Sequence, residues 1–278
     1  MIELQGKFNS TNNIIMDIKQ PEYSYMFGLL QTDGHLYNNT RDRGKMSIQL
    51  SYKDRDILEF LSDIIPYHTN INDKIRSSNF KDNYETSTLS IYNKEFRDKI
   101  NNWGIPYGVK SYIVKEPEVE YSKVDYYRGI IDGNGSLGMT RNNIPFVSLI
   151  IMSEVFADQY IKFLHEIIGK VKTTSRNKRD GAYNIAVYKE DAQKLIRTLY
   201  YPKCVALERK YLNAISVLGW ERPKNMKIRN NVKHWNYEED VYILSHSVKD
   251  SIEYLERTKK SIETRLWRLN KEDKNVRN

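Results

Sequence analysis

Cysteine and long apolar runs are the features that this sequence has least of. Cys204 is the only cysteine among 278 residues, which excludes an internal disulfide and a zinc site built from several thiolates. No segment reaches the roughly 18 apolar residues that a membrane-spanning helix needs, and residues 1–20 lack the basic start and apolar run of a secretory signal. We therefore expect a soluble, unexported protein of a reducing cytosol, in which Cys204 is a core residue without chemistry.

Acidic residues are outnumbered by basic ones. The chain has 44 Lys and Arg against 36 Asp and Glu, and its isoelectric point is near 9.2. This balance favours a polyanionic partner, either nucleic acid or an acidic membrane surface. The length suffices for one large body and a small appended unit.

An internal repeat organises the first 220 residues. The segment YMFGLLQTDGHL at 25–36 matches YYRGIIDGNGSL at 126–137, with Gly28 aligned to Gly129 at a separation of 101 residues. Each copy is followed by a strand-like segment and then by an amphipathic helical segment, DRDILEFLSDII in the first half and FADQYIKFLHEII in the second. Because these downstream segments agree in type and order, the match indicates a true duplication.

Each half continues with a hairpin-like pair and a further helix. The segments NDKIRSS, TSTLSIYN and KEFRDKINNWG in the first half correspond to KVKTTSR, AYNIAVYK and EDAQKLIRTLYY in the second. Their alternation predicts half-buried antiparallel strands. The expected fold is α+β: two pseudo-symmetric αββαββα repeats, 21–120 and 121–220, behind an N-terminal extension, 1–20. The free faces of their two sheets would together form a long concave saddle.

The two repeated segments resemble the signature of the LAGLIDADG homing endonucleases. MFGLLQTDG (26–34) and YRGIIDGNG (127–135) lie on the nine-residue motif, and the resemblance extends over about residues 20 to 220. The small residues Gly28 and Thr32, and Gly129 and Gly133, are four positions apart, which lets two helices approach closely. The resemblance implies a site-specific nuclease of double-stranded DNA from a mobile genetic element, acting as a monomer because both repeats share one chain.

Asp33 is the first catalytic and metal-binding candidate. It ends the first motif helix before Gly34, and the resemblance implies that acids at this position hold divalent metal ions against the scissile phosphates. A hard cation such as Mg²⁺, or Mn²⁺ or Ca²⁺ in its place, prefers oxygen ligands and lowers the pKa of bound water. Gly133 and Asn134 are the matching metal-site positions of the second motif.

Asn134 departs from the family pattern, because a neutral amide stands where an acid is expected. Asp132 lies two positions earlier and points about 200° away on a helix, so it cannot take over this role. Three origins remain open: a natural enzyme biased towards nicking one strand, a natural binder with decayed catalysis, or an Asp-to-Asn change introduced to trap an uncleaved complex.

The resemblance implies further site residues. Gln49 resembles the strand glutamine that positions water near the metals, whereas the aligned residue of the second half, around Ile151, is apolar. Lys110 and Lys210 resemble the basic residue of each half that approaches the cleaved phosphate. Side chains suited to base edges and phosphates are expected at Arg41, Arg43, Lys45, Arg76, Asn79, Arg141, Asn142, Arg176, Lys178 and Arg179.

The C-terminal segment predicts a small helical DNA-binding domain. Residues 221–234 form a basic linker, in which Lys227, Arg229 and Lys233 could follow a phosphate backbone. Residues 235–278 contain three helical segments and resemble a Myb-like helix-turn-helix module through WNYEED and SIETRLWRL. Its expected core includes Val241, Ile243, Leu244, Ile252, Leu255, Ile262, Leu266, Leu269 and Trp267, and its expected DNA contacts on the third helix are Arg257, Lys259, Lys260, Arg265 and Arg268.

Two other functions compete with a metal-dependent DNA endonuclease. An RNA-binding intron maturase would prefer folded RNA to duplex DNA. A sequence-specific DNA-binding protein without catalysis would bind tightly and never nick, which Asn134 makes a serious alternative.

Overall fold

The computed structural model describes residues 16–37, 43–78, 81–169, 176–224, 226 and 235–276, with side chains for all of these except 76–78, 81–82 and 271–276. The chain divides into two compact units, Met1–Arg222 and Pro223–Asn278. Arg41, Asn79, Lys227, Arg229 and Lys233 lie outside the described residues, as does the side chain of Arg76. No helix in the described part of the chain is long and apolar enough to cross a bilayer.

The first half of the larger unit has the predicted order of elements. They are α1 (Pro21–Asp33), β1 (Gly34–Tyr37), β2 (Lys45–Ser51), α2 (Arg55–Ile64), β3 (Thr69–Ser78), β4 (Lys81–Ile91) and α3 (Lys94–Trp103). The strands form one antiparallel sheet in the order β1-β2-β4-β3. Helix α2 buries Ile57, Leu58, Leu61 and Ile64 as its spacing predicted, because residues three and four apart share one helix face.

The second half repeats this order up to its third strand. It contains α4 (Lys123–Asn134), β5 (Gly135–Met139), β6 (Pro145–Ile151), α5 (Glu154–Ile168), β7 (Tyr183–Tyr188), α6 (Lys189–Leu199) and α7 (Glu208–Leu218). Strands β5, β6 and β7 form an antiparallel sheet in that order. The strand predicted in KVKTTSR falls mostly on residues outside the described set, and its last residue, Arg176, makes an isolated bridge to Tyr183.

Helix α7 was not predicted, since the repeat supplies no counterpart for it after α3. The α+β class, with antiparallel sheets in both repeats, is confirmed. In both sheets one face packs on the core and the other does not, as the alternating burial along β2, β6 and β7 shows.

The smaller unit contains three helices, α8 (Tyr237–Ser245), α9 (Val248–Leu255) and α10 (Lys259–Val276). Asn236 and Glu239 form a capping box at the start of α8, which satisfies backbone N–H groups that the helix leaves free. The core contains Ile243, Leu255 and Ile262, with Trp235, Tyr242, Val248, Ile252, Leu266 and Leu269 packed against it.

Three residues expected in this core lie outside it. Val241 and Leu244 are exposed, and Trp267 is 62% exposed. Successive helical residues are about 100° apart. Because Ile243 faces the core from α8 and Leu266 faces it from α10, their neighbours Leu244 and Trp267 are turned away from it.

Candidate active site

The two motif helices, α1 and α4, pack directly against each other along their glycines. A Cβ atom added at Gly28 would lie 2.3 Å from the carbonyl oxygen of Tyr126, and one added at Gly129 would lie 2.3 Å from the carbonyl oxygen of Tyr25. Tyr25 and Tyr126 are themselves equivalent in the repeat. These reciprocal contacts relate the two halves by a pseudo-two-fold axis and place the carboxyl ends of the two helices side by side.

Two buried hydrogen bonds reinforce this seam, one in each direction. The Tyr25 hydroxyl donates to Asp132 Oδ2 at 2.7 Å, and the Tyr126 hydroxyl donates to Gln31 Oε1. Gln31 and Asp132 occupy equivalent positions in the repeat, so each motif helix donates the same tyrosine hydrogen bond to the other. Helix register is therefore fixed by polar contacts as well as by close packing.

Asp132 has a structural role. Its fully buried carboxylate also accepts hydrogen bonds from the Tyr200 hydroxyl and the Leu207 backbone N–H, both at 2.7 Å. Burial raises the pKa of this carboxyl, while the bonds from Tyr200, Leu207 and Tyr25 oppose the rise. With its oxygens engaged in this way, Asp132 is not available at the helix end.

Asp33 lies at the carboxyl end of α1, against the other motif helix. A Cβ atom at Gly133 would lie 1.9 Å from Thr32 Oγ1 and 2.6 Å from Asp33 Oδ2, so the absence of a side chain at 133 makes room for Asp33. Burial raises the pKa of the Asp33 carboxyl, whereas a Thr32 hydrogen bond and the charges of Lys110, Arg209 and Lys210 lower it. The site thus holds one partly buried acid surrounded by cations.

Lys110 and Lys210 occupy equivalent places at the carboxyl ends of α1 and α4. Lys110 Nζ donates to the carbonyl oxygens of Thr32, at 3.2 Å, and Gly34. Lys210 Nζ, on α7, donates to those of Ile131, at 3.3 Å, and Gly135.

Both ammonium groups therefore donate to backbone carbonyl oxygens at a helix end, where several carbonyls lack a partner within the helix; the Ile131 carbonyl also accepts from the Gly135 N–H. Burial lowers the pKa of each lysine, and the negative charge of Asp33 opposes this in both. The structure thus places both lysines at the ends of the motif helices, with their charges directed at backbone oxygens.

The strand next to each motif helix shows how the halves differ. Gly34 pairs with Ile48 and Gly135 pairs with Leu149, so the exposed Gln49 corresponds to Ile150. The residue predicted opposite Gln49, Ile151, is one position off: it is buried, whereas Ile150 is 55% exposed. Asn134 is exposed at the end of α4. The second half therefore offers an amide and an apolar side chain where the first offers an acid and an amide.

Sequence reasoning missed an ion pair that crosses between the halves. Arg209 Nε, at the start of α7, lies 3.0 and 3.1 Å from the two carboxylate oxygens of Asp54, which follows β2. The Asp54 side chain is almost fully buried and that of Arg209 is about half exposed. Because the two residues are 155 positions apart, no local pattern signals their contact.

The predicted DNA-contacting residues of the larger unit fall into two groups. Arg43, Arg141, Asn142 and Lys178 are exposed and Lys45 is partly exposed. Arg176 bonds Glu154, the Tyr183 hydroxyl and the Gly181 carbonyl, and Arg179 pairs with Asp180 while its side chain remains largely exposed. The Arg176 guanidinium is thus already bonded to other groups of the protein.

Two predicted DNA contacts of the smaller unit are internal ion pairs instead. Arg257 precedes α10, is buried against Trp235 and pairs with Glu239 through two nitrogens, at 3.2 and 2.7 Å. Arg265 pairs with Asp240 at 2.7 and 2.6 Å. The first contact joins the segment before α10 to α8, and the second joins α10 itself to α8, whereas Lys259, Lys260 and Arg268 are exposed.

The oxygen donors at the helix ends suit a hard cation. Within the described ranges no group of three or more His, Cys, Asp and Glu side chains could hold a metal. Mg²⁺ does not need one, since it binds through one or two carboxylates together with substrate phosphates and waters. Asp33 supplies one carboxylate at the end of the helix pair, and Asn134 supplies a neutral amide where the second motif would supply another.

Comparison with solved structures finds homing endonucleases. The homing endonuclease I-WcaI bound to its DNA recognition sequence is 11% identical, with a TM-score of 0.53 over 74% of this chain and 95% of that chain. I-SmaMI bound to uncleaved DNA target in the presence of calcium ions is 14% identical, with a TM-score of 0.48 over 72% of this chain and 90% of that chain. The I-LtrWI LAGLIDADG homing endonuclease bound to target DNA is 12% identical, with a TM-score of 0.46 over 71% of this chain and 88% of that chain.

No protein-family model matches the sequence, and no curated protein matches it significantly. At these identities the likeness to I-WcaI is a likeness of fold. It covers the two-repeat architecture that brings the ends of α1 and α4 together.

Proposed function

We propose that this chain is a site-specific DNA endonuclease that acts as a monomer, uses a divalent cation and cuts mainly through its first half. One observation carries the proposal: the reciprocal packing of α1 and α4 brings Asp33, Asn134, Lys110 and Lys210 to the same end of the helix pair. The DNA-bound state of I-WcaI, which has a similar fold, supports duplex DNA as the substrate.

Each of these residues would have its own part in the reaction. Asp33, the Gly133 carbonyl and the Asn134 amide would hold the cation, which supplies Lewis acidity and a bound water of lowered pKa. Gln49, exposed on the strand beside the end of α1, would orient water. Lys110 and Lys210 would place positive charge near the phosphate while keeping the helix ends satisfied.

Asn134 makes the two strands unequal substrates. An amide supplies no negative charge to a cation, and Ile150 cannot hydrogen-bond water as Gln49 can. We therefore expect one strand to be nicked and the other to be cut slowly or not at all. The missing second acid also supports a second candidate function, a sequence-specific DNA-binding protein that does not cut.

The experiment is cleavage of supercoiled plasmids carrying a randomised insert, with Mg²⁺ or with EDTA. Nicked and linear products are separated and sequenced for the unaltered protein, Asp33→Asn and Asn134→Asp. Asp63→Asn is the control, because Asp63 is exposed on α2 and is not among the residues at the carboxyl ends of α1 and α4. We expect metal-dependent nicking, its loss in Asp33→Asn, and more linear product in Asn134→Asp.

Two results would separate the candidates. Sequence-specific binding without nicking by any version leaves a DNA-binding protein. Selection of folded RNA over every duplex would instead indicate the maturase function.

We further propose that the smaller unit binds DNA as a helix-turn-helix module. Its three helices and the exposed Lys259, Lys260 and Arg268 of α10 support this. If Lys260 contacts a phosphate, Lys260→Gln lowers the slope of log Kd against log salt by about 1, since each phosphate contact releases about one counterion. Lys249→Gln on α9 is the control, and equal slopes for both variants would contradict the assignment.

A further inference from the structure

The outer face of the second sheet carries more apolar side chains than the matching face of the first. Along β6 and β7 the side chains of Val147, Leu149, Ile185 and Val187 are buried, so the alternate residues point away from the core. Four of these six residues form what we call the apolar patch: Phe146, Ile150, Ala186 and Tyr188. The other two are polar: Ser148 stands opposite Ala186, and Asn184 stands opposite Ile150. Ile150 and Tyr188 are 55% and 50% exposed, and Phe146 and Ala186 are partly exposed.

The first sheet shows what the same positions hold in the other half. Pairing registers match Phe146 to Lys45, Ile150 to Gln49 and Ala186 to Ser90. Each of these three matches replaces a side chain that can hydrogen-bond with one that cannot. The fourth member of the patch, Tyr188, matches Tyr92 and is unchanged. On β5, Gly138 stands opposite Phe146, and its Cβ position is 3.9 Å from the Phe146 ring. The residue of β5 that stands opposite Phe146 therefore has no side chain to cover the ring.

The rim of the apolar patch is basic. Arg141, in the turn between β5 and β6, and Lys178, before β7, are exposed cations; Arg179 beside Lys178 is also exposed but pairs with Asp180. An apolar centre with a cationic rim fits a polyanion that presents apolar groups at its surface. In the major groove of duplex DNA the apolar group on a base edge is the C5-methyl of thymine.

We propose that the apolar patch recognises thymine methyl groups in the half of the DNA target that lies against the second sheet. The first sheet, with Lys45, Gln49 and Ser90 at the matching positions, reads its half by hydrogen bonds. The target is then chemically asymmetric: methyl-rich on one side of the cleavage centre and read through polar base edges on the other. This inference rests on the proposed function.

The test begins with a target selected from randomised duplexes by the full-length protein. The half that faces the second sheet is the one whose base preferences change in the variant Phe146→Lys/Ala186→Ser, which installs the residues of the first sheet. Lys45→Met is the matched variant of the first half. Deoxyuridine, which differs from thymidine by the methyl group alone, is then placed in one half of the target at a time.

We expect deoxyuridine to weaken binding only in the half facing the second sheet, by about fourfold for each methyl group contacted, the factor that burial of one such group contributes. Phe146→Lys/Ala186→Ser should reduce this sensitivity with an unchanged melting temperature, and Ile150 and Tyr188 should account for what remains. A selected target that tolerates deoxyuridine in that half, or loses affinity equally in both halves, overturns the inference and leaves the endonuclease intact. Failure to select any duplex sequence overturns the proposed function itself.

Discussion

The seam between the motif helices makes the Gly28→Ala variant informative. A Cβ atom at Gly28 would lie 2.3 Å from the Tyr126 carbonyl oxygen and 3.1 Å from the Ile130 nitrogen. Since both are backbone atoms, no side-chain rotation relieves the overlap, and α1 and α4 must separate by roughly 1 Å to restore an ordinary contact distance. Overpacking of a core costs about 1–3 kcal/mol. Alanine recovers about 1 kcal/mol through its higher helix propensity.

Taking the upper end of the overpacking cost, we expect Gly28→Ala to lower the free energy of unfolding by about 2 kcal/mol. For a unit of this size the melting temperature should fall by about 4–8 °C. Gly219→Ala is the control, because Gly219 has φ −76° and the atom nearest to its Cβ position is the Ser216 carbonyl oxygen, at 3.7 Å. It should be nearly neutral.

The reciprocal contact at Gly129 allows a second test, which is the stability of the double variant. One separation of the helices accommodates both methyl groups, so Gly28→Ala/Gly129→Ala should cost clearly less than the sum of the single variants. Urea unfolding of the unaltered protein and the four variants measures the free energies, and thermal unfolding measures the melting temperatures. A Gly28→Ala protein as stable as its Gly219→Ala control would refute the close packing of the two helices.

Three further measurements test other parts of the larger unit. Asp132→Ala leaves two tyrosine hydroxyls and the Leu207 N–H without an acceptor, and at about 1–3 kcal/mol for each group it should destabilise the larger unit by at least about 3 kcal/mol in urea unfolding. Burial raises the pKa of Cys204 to about 11. Its alkylation by iodoacetamide in the native protein at about pH 8 should therefore be at least about tenfold slower than in the unfolded chain, even after allowing for the greater nucleophilicity of a more basic thiolate; equal rates would contradict its burial. In plasmid cleavage, Asn134→Asp/Ile150→Gln should yield more linear product than Asn134→Asp alone, and no gain would show that Ile150 does not limit the second half.

The motif helices and their flanking strands were predictable because their signals are local. Two segments share small residues four apart, followed by strand and helix periodicities in the same order, and each such pattern has a short-range physical cause. Asp33 lies at the end of α1, and Lys110 and Lys210 lie beneath the helices, while their parts in catalysis stay predictions. That both lysines bind backbone carbonyls was not predicted.

The contacts that the sequence concealed are long-range ones. The pairing of Arg209 with Asp54 joins residues 155 positions apart. Arg257 and Arg265 were expected to contact DNA because they belong to a basic segment. In the structure they form ion pairs with Glu239 and Asp240 of α8. A count of cations on one helix carries no information about acids on a neighbouring one. For Trp267, size and apolarity suggested burial, whereas the helical phase set by Leu266 decided its exposure.

The differences between the halves bear on the origin of Asn134. In the second half, the residues with packing or capping roles are retained: Gly129 closes the seam, and Lys210 satisfies the carbonyl oxygens at the end of α4. The positions that match the proposed cation ligand Asp33 and the proposed water-orienting Gln49 hold Asn134 and Ile150 instead. A single introduced substitution would account for Asn134 but not for Ile150. Under the proposed function, loss of cutting by the second half with continued demand for stability would account for both, and the contacts of Lys210 with backbone carbonyls would account for the lysine.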